Sequence, residues 1–214
     1  MKIQRLAIAV LLLGLGACSS LYYGTWEKLG VPKRKIMVDR VKEARDTQNE
    51  TKQRFLSAME QFKSVVEVKG GDLEKQYEKL RGTLKKSESG ADAVRKRIRS
   101  VESVSEALFK EWRKEIDLYS GETLRAASQK NYDLTKGKYE ALIAAMKKAE
   151  SKLEPALVPL RDQVLFMKHN LNARAVSGLS EELARVETNV DQLVQEMESA
   201  VAEADKFIAS LQAE

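Results

Sequence analysis

The chain has 214 residues, of which 32% are charged and only 6% aromatic, with three prolines, one cysteine and one histidine. That balance favours long helices or coiled coil over a compact globule. One cysteine excludes an internal disulfide, and one histidine excludes any metal site built on a histidine pair.

Residues 1–17 have a basic start (Lys2, Arg5), an apolar run over residues 6–15 and a small-residue end. An apolar core of about ten residues is too short for a membrane span, which needs about twenty. It suits an export signal. Leu15-Gly16-Ala17-Cys18 fits the bacterial lipobox, in which the cysteine thiol receives diacylglycerol and becomes the first residue of the mature chain. Cys18 is therefore the expected lipidation site. Removing Lys2 and Arg5 lowers the formal net charge from +5 to +3, so the mature chain is only mildly basic. Ser19 lacks the acidic character of an inner-membrane retention signal and points to the periplasmic face of the outer membrane. Residues 18–31 read as a lipidated tether with Tyr22, Tyr23 and Trp26, and residues 32–214 as one helical coiled-coil domain.

Pro32 suits a first helical turn, where a missing N–H costs nothing. From there the apolar spacing alternates four and three. Helix one carries Met37, Val41, Ala44, Gln48, Thr51, Phe55, Ala58, Phe62 and Val65 on its seam. The polar Gln48 and Thr51 would cost stability but help to set register. Gly70-Gly71-Asp72 is the expected stop and restart.

Helix two repeats the pattern from Leu73 and Tyr77 through Leu108 and Trp112, ending near Tyr119 before Ser120-Gly121. Gly82 and Gly90 are expected outside the seam, weakening the helix by about 1 kcal/mol each without touching the core. Helix three has one seam from Tyr132 to Leu153 and another from Leu157 to Leu171. Two consecutive steps of four join them, a stutter, and Pro155 and Pro159 at the join predict a kink. After a break expected at residues 173–178, helix four runs its seam from Leu179 to Leu211 without exception to the four–three rule. The fold class is all-α, an elongated antiparallel bundle or coiled coil of about four long helices. Short connections make consecutive helices antiparallel neighbours. The turn at Ser120-Gly121 should then project past the start of helix one, at the end that carries the tether.

No catalytic constellation, phosphate loop, metal site or cofactor motif is present in the sequence, and an exported chain is not expected to meet nucleic acid. Four features carry interaction chemistry. Cys18 would hold the membrane. Phe109, Trp112 and Tyr119 crowd the membrane-side tip, with Ile116 and Leu124, and would either pack against the tether aromatics or dip into the bilayer interface. His169, Asn170, Asn172 and Arg174 cluster at the end of helix three, as a partner contact or as groups that satisfy open helix-end carbonyls. Arg95-Lys96-Arg97-Ile98-Arg99 is a basic run that either coats a solvated face or meets an anionic surface.

The chain also resembles DUF2959, a family of uncharacterised proteobacterial lipoproteins. The resemblance rests on Trp26-Glu27-Lys28-Leu29-Gly30, Val38-Asp39-Arg40-Val41, Ala44-Arg45-Asp46-Thr47-Gln48 and Gly70-Gly71-Asp72-Leu73. It continues through Ala107-Leu108-Phe109-Lys110-Glu111-Trp112, Leu142-Ile143-Ala144-Ala145-Met146 and the long string from Asp162 to Ala175. Lys35 departs from it, standing where an acidic residue is expected. The resemblance implies a helical envelope lipoprotein and no activity to carry over. The expected role is thus a non-enzymatic envelope scaffold or adaptor with a periplasmic protein partner. The alternative is a lipid-binding or membrane-remodelling bundle, and a homo-oligomer fits either.

Overall fold

The computed structural model describes residues 32–67, 73–170 and 173–212. They form four helices: α1 (Lys33–Glu67), α2 (Leu73–Ile116), α3 (Glu122–His169) and α4 (Ala173–Gln212), with no strand among the described residues. The Pro32 carbonyl opens α1 by accepting from the Lys35 and Ile36 amides at 2.9 and 3.3 Å. At 1.5 Å per residue, α3 is roughly 70 Å long and α1 roughly 50 Å. The tether, the Gly70-Gly71-Asp72 stop and Leu171 lie outside the described residues.

The helices stand in a square. α1 packs on α2 and α4, and α3 packs on the same two from the other side. Polar pairs across each edge give the register. Arg45–Asp205 (2.8 Å) and Lys52–Glu198 (3.1 Å) tie α1 to α4, as does Lys63–Glu187. Lys33–Glu111 (2.9 Å) and Arg97–Glu43 (2.5 Å) tie α1 to α2. Glu102–Lys147 (2.5 Å), Arg95–Glu154 (3.1 Å) and Glu88–Arg161 (2.7 Å) tie α2 to α3, and Lys148–Glu196 (2.9 Å) and Lys152–Gln192 (3.4 Å) tie α3 to α4. Along every edge one partner's number rises as the other's falls, so all four edges are antiparallel. Exposed ion pairs contribute only about 0–1 kcal/mol each. They report the register, and the core supplies the stability.

That core runs the length of the bundle. Every expected seam residue of α1 is buried, with Phe55 and Phe62 at 0% exposure. In α4 the whole expected seam is buried except Leu183, which packs against the core half-covered. The buried stripe is wider than a two-helix seam, because each helix of a square faces two neighbours. Adjacent residues are therefore buried together: Val104 with Ser105, Ala156 with Leu157, Gln163 with Val164, and Phe207 with Ile208.

Three expectations need correction. Gly90 is not outside the core but buried, and a Cβ there would meet Thr51 Cγ2 and Oγ1 at 2.9 Å and Arg54 Cδ at 3.3 Å. It is the close-approach point of α1 and α2. The stutter in α3 dissolves, because Ala156 and Gln163 are buried too. The four–three spacing passes through Leu153, Ala156, Leu160, Gln163 and Met167 inside one helix that contains both Pro155 and Pro159. Residues 173–178 are not a break either but the first turns of α4. Gly178 is exposed with open space around it, so the helix bears only its intrinsic cost of about 1 kcal/mol.

Gln48 is buried at 0%, and neither of its amide atoms has a hydrogen-bond partner among the described residues. The flanking pairs put it level with Ala91 and Val94 on α2 and with Ala200 and Ala204 on α4. Ser87, by contrast, donates its hydroxyl to the Arg54 carbonyl across the α1–α2 seam at 3.2 Å.

Candidate functional site

The register makes the two ends of the bundle unlike. Lys33, at the start of α1, is level with Glu111 of α2, and Arg34 Nη2 donates to the Leu211 carbonyl near the end of α4 at 2.9 Å. Beyond this step, among the described residues, only α2 and α3 continue. By the α2–α3 register, α3 overhangs the start of α1 by roughly fifteen residues, on the order of 20 Å.

At the step an aromatic cluster replaces the four-helix core. Phe109 meets Tyr132 edge-on at a centroid distance of 5.6 Å and Tyr139 at 5.5 Å, and Trp112 meets Tyr132 at 5.7 Å. Trp112 Nε1 donates to Ser128 Oγ at 3.0 Å, so its polar edge is satisfied inside the hairpin. The Arg113 guanidinium sits 4.8 Å from the Tyr132 ring centroid. Partial burial pushes the Tyr139 hydroxyl above its ordinary range, opposed by a hydrogen bond with Ser105. Phe109 and Trp112 thus turn toward α3, with Phe109 7% exposed. Tyr119, 38% exposed, is the one of the three expected tip residues that faces outward. Beneath the cluster, where α1 and α4 stop, lies a notch of about 160 Å³ lined by Arg34, Glu111, Trp112, Thr135 and Leu211, among others. The Thr135 hydroxyl is buried there without a partner among the described residues.

Every residue of the turn, 117–121, and of the first turns of α3 is exposed. Leu118 is 81% exposed and Leu124 62%. Arg125 closes the turn by donating to the Tyr119 carbonyl at 2.6 Å and pairing with Glu122 at 3.6 Å. Leu118 and Leu124 are apolar residues off the seam. That mismatch was the available signal for them. It marks Val158, Leu165 and Phe166 on the outer face of α3 as well, at 44%, 63% and 43% exposure.

At the opposite end His169 is the exposed last residue of α3. Asn170 caps the helix, its amide N–H donating to the Met167 carbonyl at 3.1 Å and its side chain to the Phe166 carbonyl at 2.9 Å. Its side chain is therefore engaged in closing the helix. Asn172 and the side chain of Arg174 lie outside the described residues. The basic run on α2 is largely absorbed by the bundle. Arg95 pairs with Asp92 and Glu154, and Arg97 with Glu43. Lys96 and Arg99 face solvent. Among the described residues no three His, Cys, Asp or Glu side chains converge to hold a metal ion. No described helix is long and apolar enough to cross a membrane.

Fold and ends together define an all-α, antiparallel four-helix bundle with a two-helix overhang at one end. The chain belongs to the family described as a protein of unknown function, DUF2959, whose model it matches over residues 22–211. No curated protein matches it. The match begins ahead of Pro32, so the family domain includes part of the stretch read as a tether.

Proposed function

We propose that this chain is a lipid-anchored, non-enzymatic scaffold or adaptor of the bacterial envelope. It is held through Cys18 at the periplasmic face of the outer membrane and presents the far end of its bundle to a protein partner. The observation that supports this reading is the polarity of the bundle. The start of α1 and the α2–α3 turn share one end, while the α1–α2 and α3–α4 connections share the other. An anchor at the first end leaves the second, with His169, free to meet a partner roughly 50 Å of helix away. A mostly apolar core, with Gln48 and Thr135 the buried side chains left unpartnered among the described residues, suits a spacer better than a container for a small ligand. Direct remodelling of anionic membranes has less support, because Arg95 and Arg97 are engaged within the bundle.

Two measurements in cells test the reading. Cys18→Ala should move the protein from the membrane fraction to the soluble periplasm; retention in the outer membrane overturns the anchoring. A photo-crosslinker at Asn172 should capture one dominant protein. Crosslinks confined to lipid or to the chain itself overturn the adaptor role.

A further inference from the structure

The overhanging α2–α3 turn sits at the anchored end, and among the described residues it is the part of that end that projects furthest. Cys18 and Pro32 are separated by about 14 residues, which span at most about 50 Å in any conformation. The overhang occupies on the order of 20 Å of that gap. With the bundle upright, the turn reaches toward the lipid before any other described part of the molecule.

What it offers there is apolar and electrically balanced. Leu118 and Leu124 are 81% and 62% exposed, and Tyr119 stands between them with its amphipathic ring half-open. Around them Arg113, Lys114, Arg125 and Lys130 are matched by an equal number of carboxylates, from Glu115 to Asp133. Arg125 is held by Glu122 and the Tyr119 carbonyl, and Arg113 by the Tyr132 ring. A surface of this kind suits a bilayer interface, where leucine enters the acyl boundary and tyrosine sits at headgroup level. It does not suit an acidic partner, which would need unbalanced positive charge.

We propose that the α2–α3 turn, through Leu118, Tyr119 and Leu124, is a second membrane contact that seats in the lipid interface regardless of lipid charge. It converts a single-point anchor into a two-point stand that sets the bundle upright. This rests on the anchoring reading above. A few apolar side chains bind lipid weakly alone, and they act because the anchor confines them near the surface, raising their effective concentration.

The test uses the full acylated chain reconstituted into phosphatidylcholine vesicles. Acylation makes Cys18 a thioether, so a cysteine introduced by Ser120→Cys is the only free thiol and takes an environment-sensitive fluorophore. Lys96→Cys, on an exposed part of α2 away from the tip, is the reference. The expected result is several-fold stronger quenching by nitroxide-labelled lipid at position 120 than at 96. That difference should be unchanged by high salt or by added phosphatidylglycerol. Adding Leu118→Asp and Leu124→Asp should bring position 120 down to the reference while the protein stays on the vesicles. Both leucines are exposed, so the fold should survive, as a thermal melt will verify. Equal quenching at both sites on acylated, vesicle-bound protein overturns the second contact and leaves the anchoring intact. Quenching that appears only with anionic lipid, or vanishes in salt, overturns the charge-neutral mechanism. A chain whose mass shows no acyl addition fails at the anchoring step itself, and the proposal falls with it.

Discussion

The four-helix body and the two-helix overhang are made from the same kind of sequence, yet they hold together differently. In the body, leucine, valine, alanine and a few large phenylalanines interlock between helices that each have two neighbours. At the step, where each helix is about to be left with one neighbour, an aromatic cluster takes over: Phe109, Trp112, Tyr132 and Tyr139. A ring covers more area per residue than an aliphatic side chain, and its polar edge can close a hydrogen bond at the rim. Aromatic packing lets two helices continue where four would otherwise be needed. Past Ile116 even this ends, and the turn exposes every residue to solvent.

The largest contrast should come from truncating one residue in each region. Phe55→Ala removes a fully buried ring and should cost about 3–5 kcal/mol. Leu118→Ala at the tip should change stability by less than about 0.5 kcal/mol. Chemical denaturation of both variants checks the pair, and similar costs would mean that the turn is packed after all. A change of opposite sign is expected at Gln48. Replacing it by leucine removes a buried, unpartnered amide and should stabilise the body by about 1–2 kcal/mol, seen as a raised melting temperature. If its role is register, the same variant should also loosen the α1–α4 pairing, read by disulfide trapping of alternative registers.

Gly90 sharpens the comparison inside the body. Gly90→Ala adds a methyl against the stiff, β-branched Thr51 and gains helix propensity, so a net loss of about 1 kcal/mol is expected. Thr51→Ala in the same chain should recover part of it, and a double-mutant cycle measures how much. The smallest effect is electrostatic. Arg161 bridges Glu88 and Glu154 and, helped by Arg95, holds the Glu154 carboxyl below its ordinary value of 4.5. A depressed carboxylate stabilises the fold above its unfolded value, and that contribution is lost as pH falls through the folded one. Half-exposed, it is worth under about 1 kcal/mol after screening. Arg161→Gln should flatten the acid side of the stability profile by that amount and should match wild type in high salt.

Much of the architecture was legible because α1 and α4 obey a strict four–three rule, and that rule holds wherever a helix buries a stripe. What it concealed follows from its own geometry. A heptad seam describes a helix with one partner, while a helix in a square buries a wider face. Gly90 beside Ala91, Ala156 beside Leu157 and Gln163 beside Val164 therefore looked like surface or like a register shift, when each is the second row of the same face. The ends were less legible for a different reason. Phe109 and Leu118 are both large and apolar, and only the position where α1 stops decides which is covered. That depends on the pairing of Lys33 with Glu111, a contact between residues distant in sequence that no local pattern contains.

The antiparallel α1 edges also determine how the molecule would bear a pull. Tension applied at Pro32 and resisted at the opposite end runs along the axis of α1, so that α1 must slide past α2 and α4 instead of peeling away from them. In sliding, the nine seam residues from Met37 to Val65 resist together, whereas peeling would break them one after another. Force-driven unfolding is governed by the height of the unfolding barrier, and shear loads all of that barrier at once. The Lys33–Glu111 and Arg34–Leu211 contacts lie where the force would enter, and they brace the first turn of α1 against lifting away.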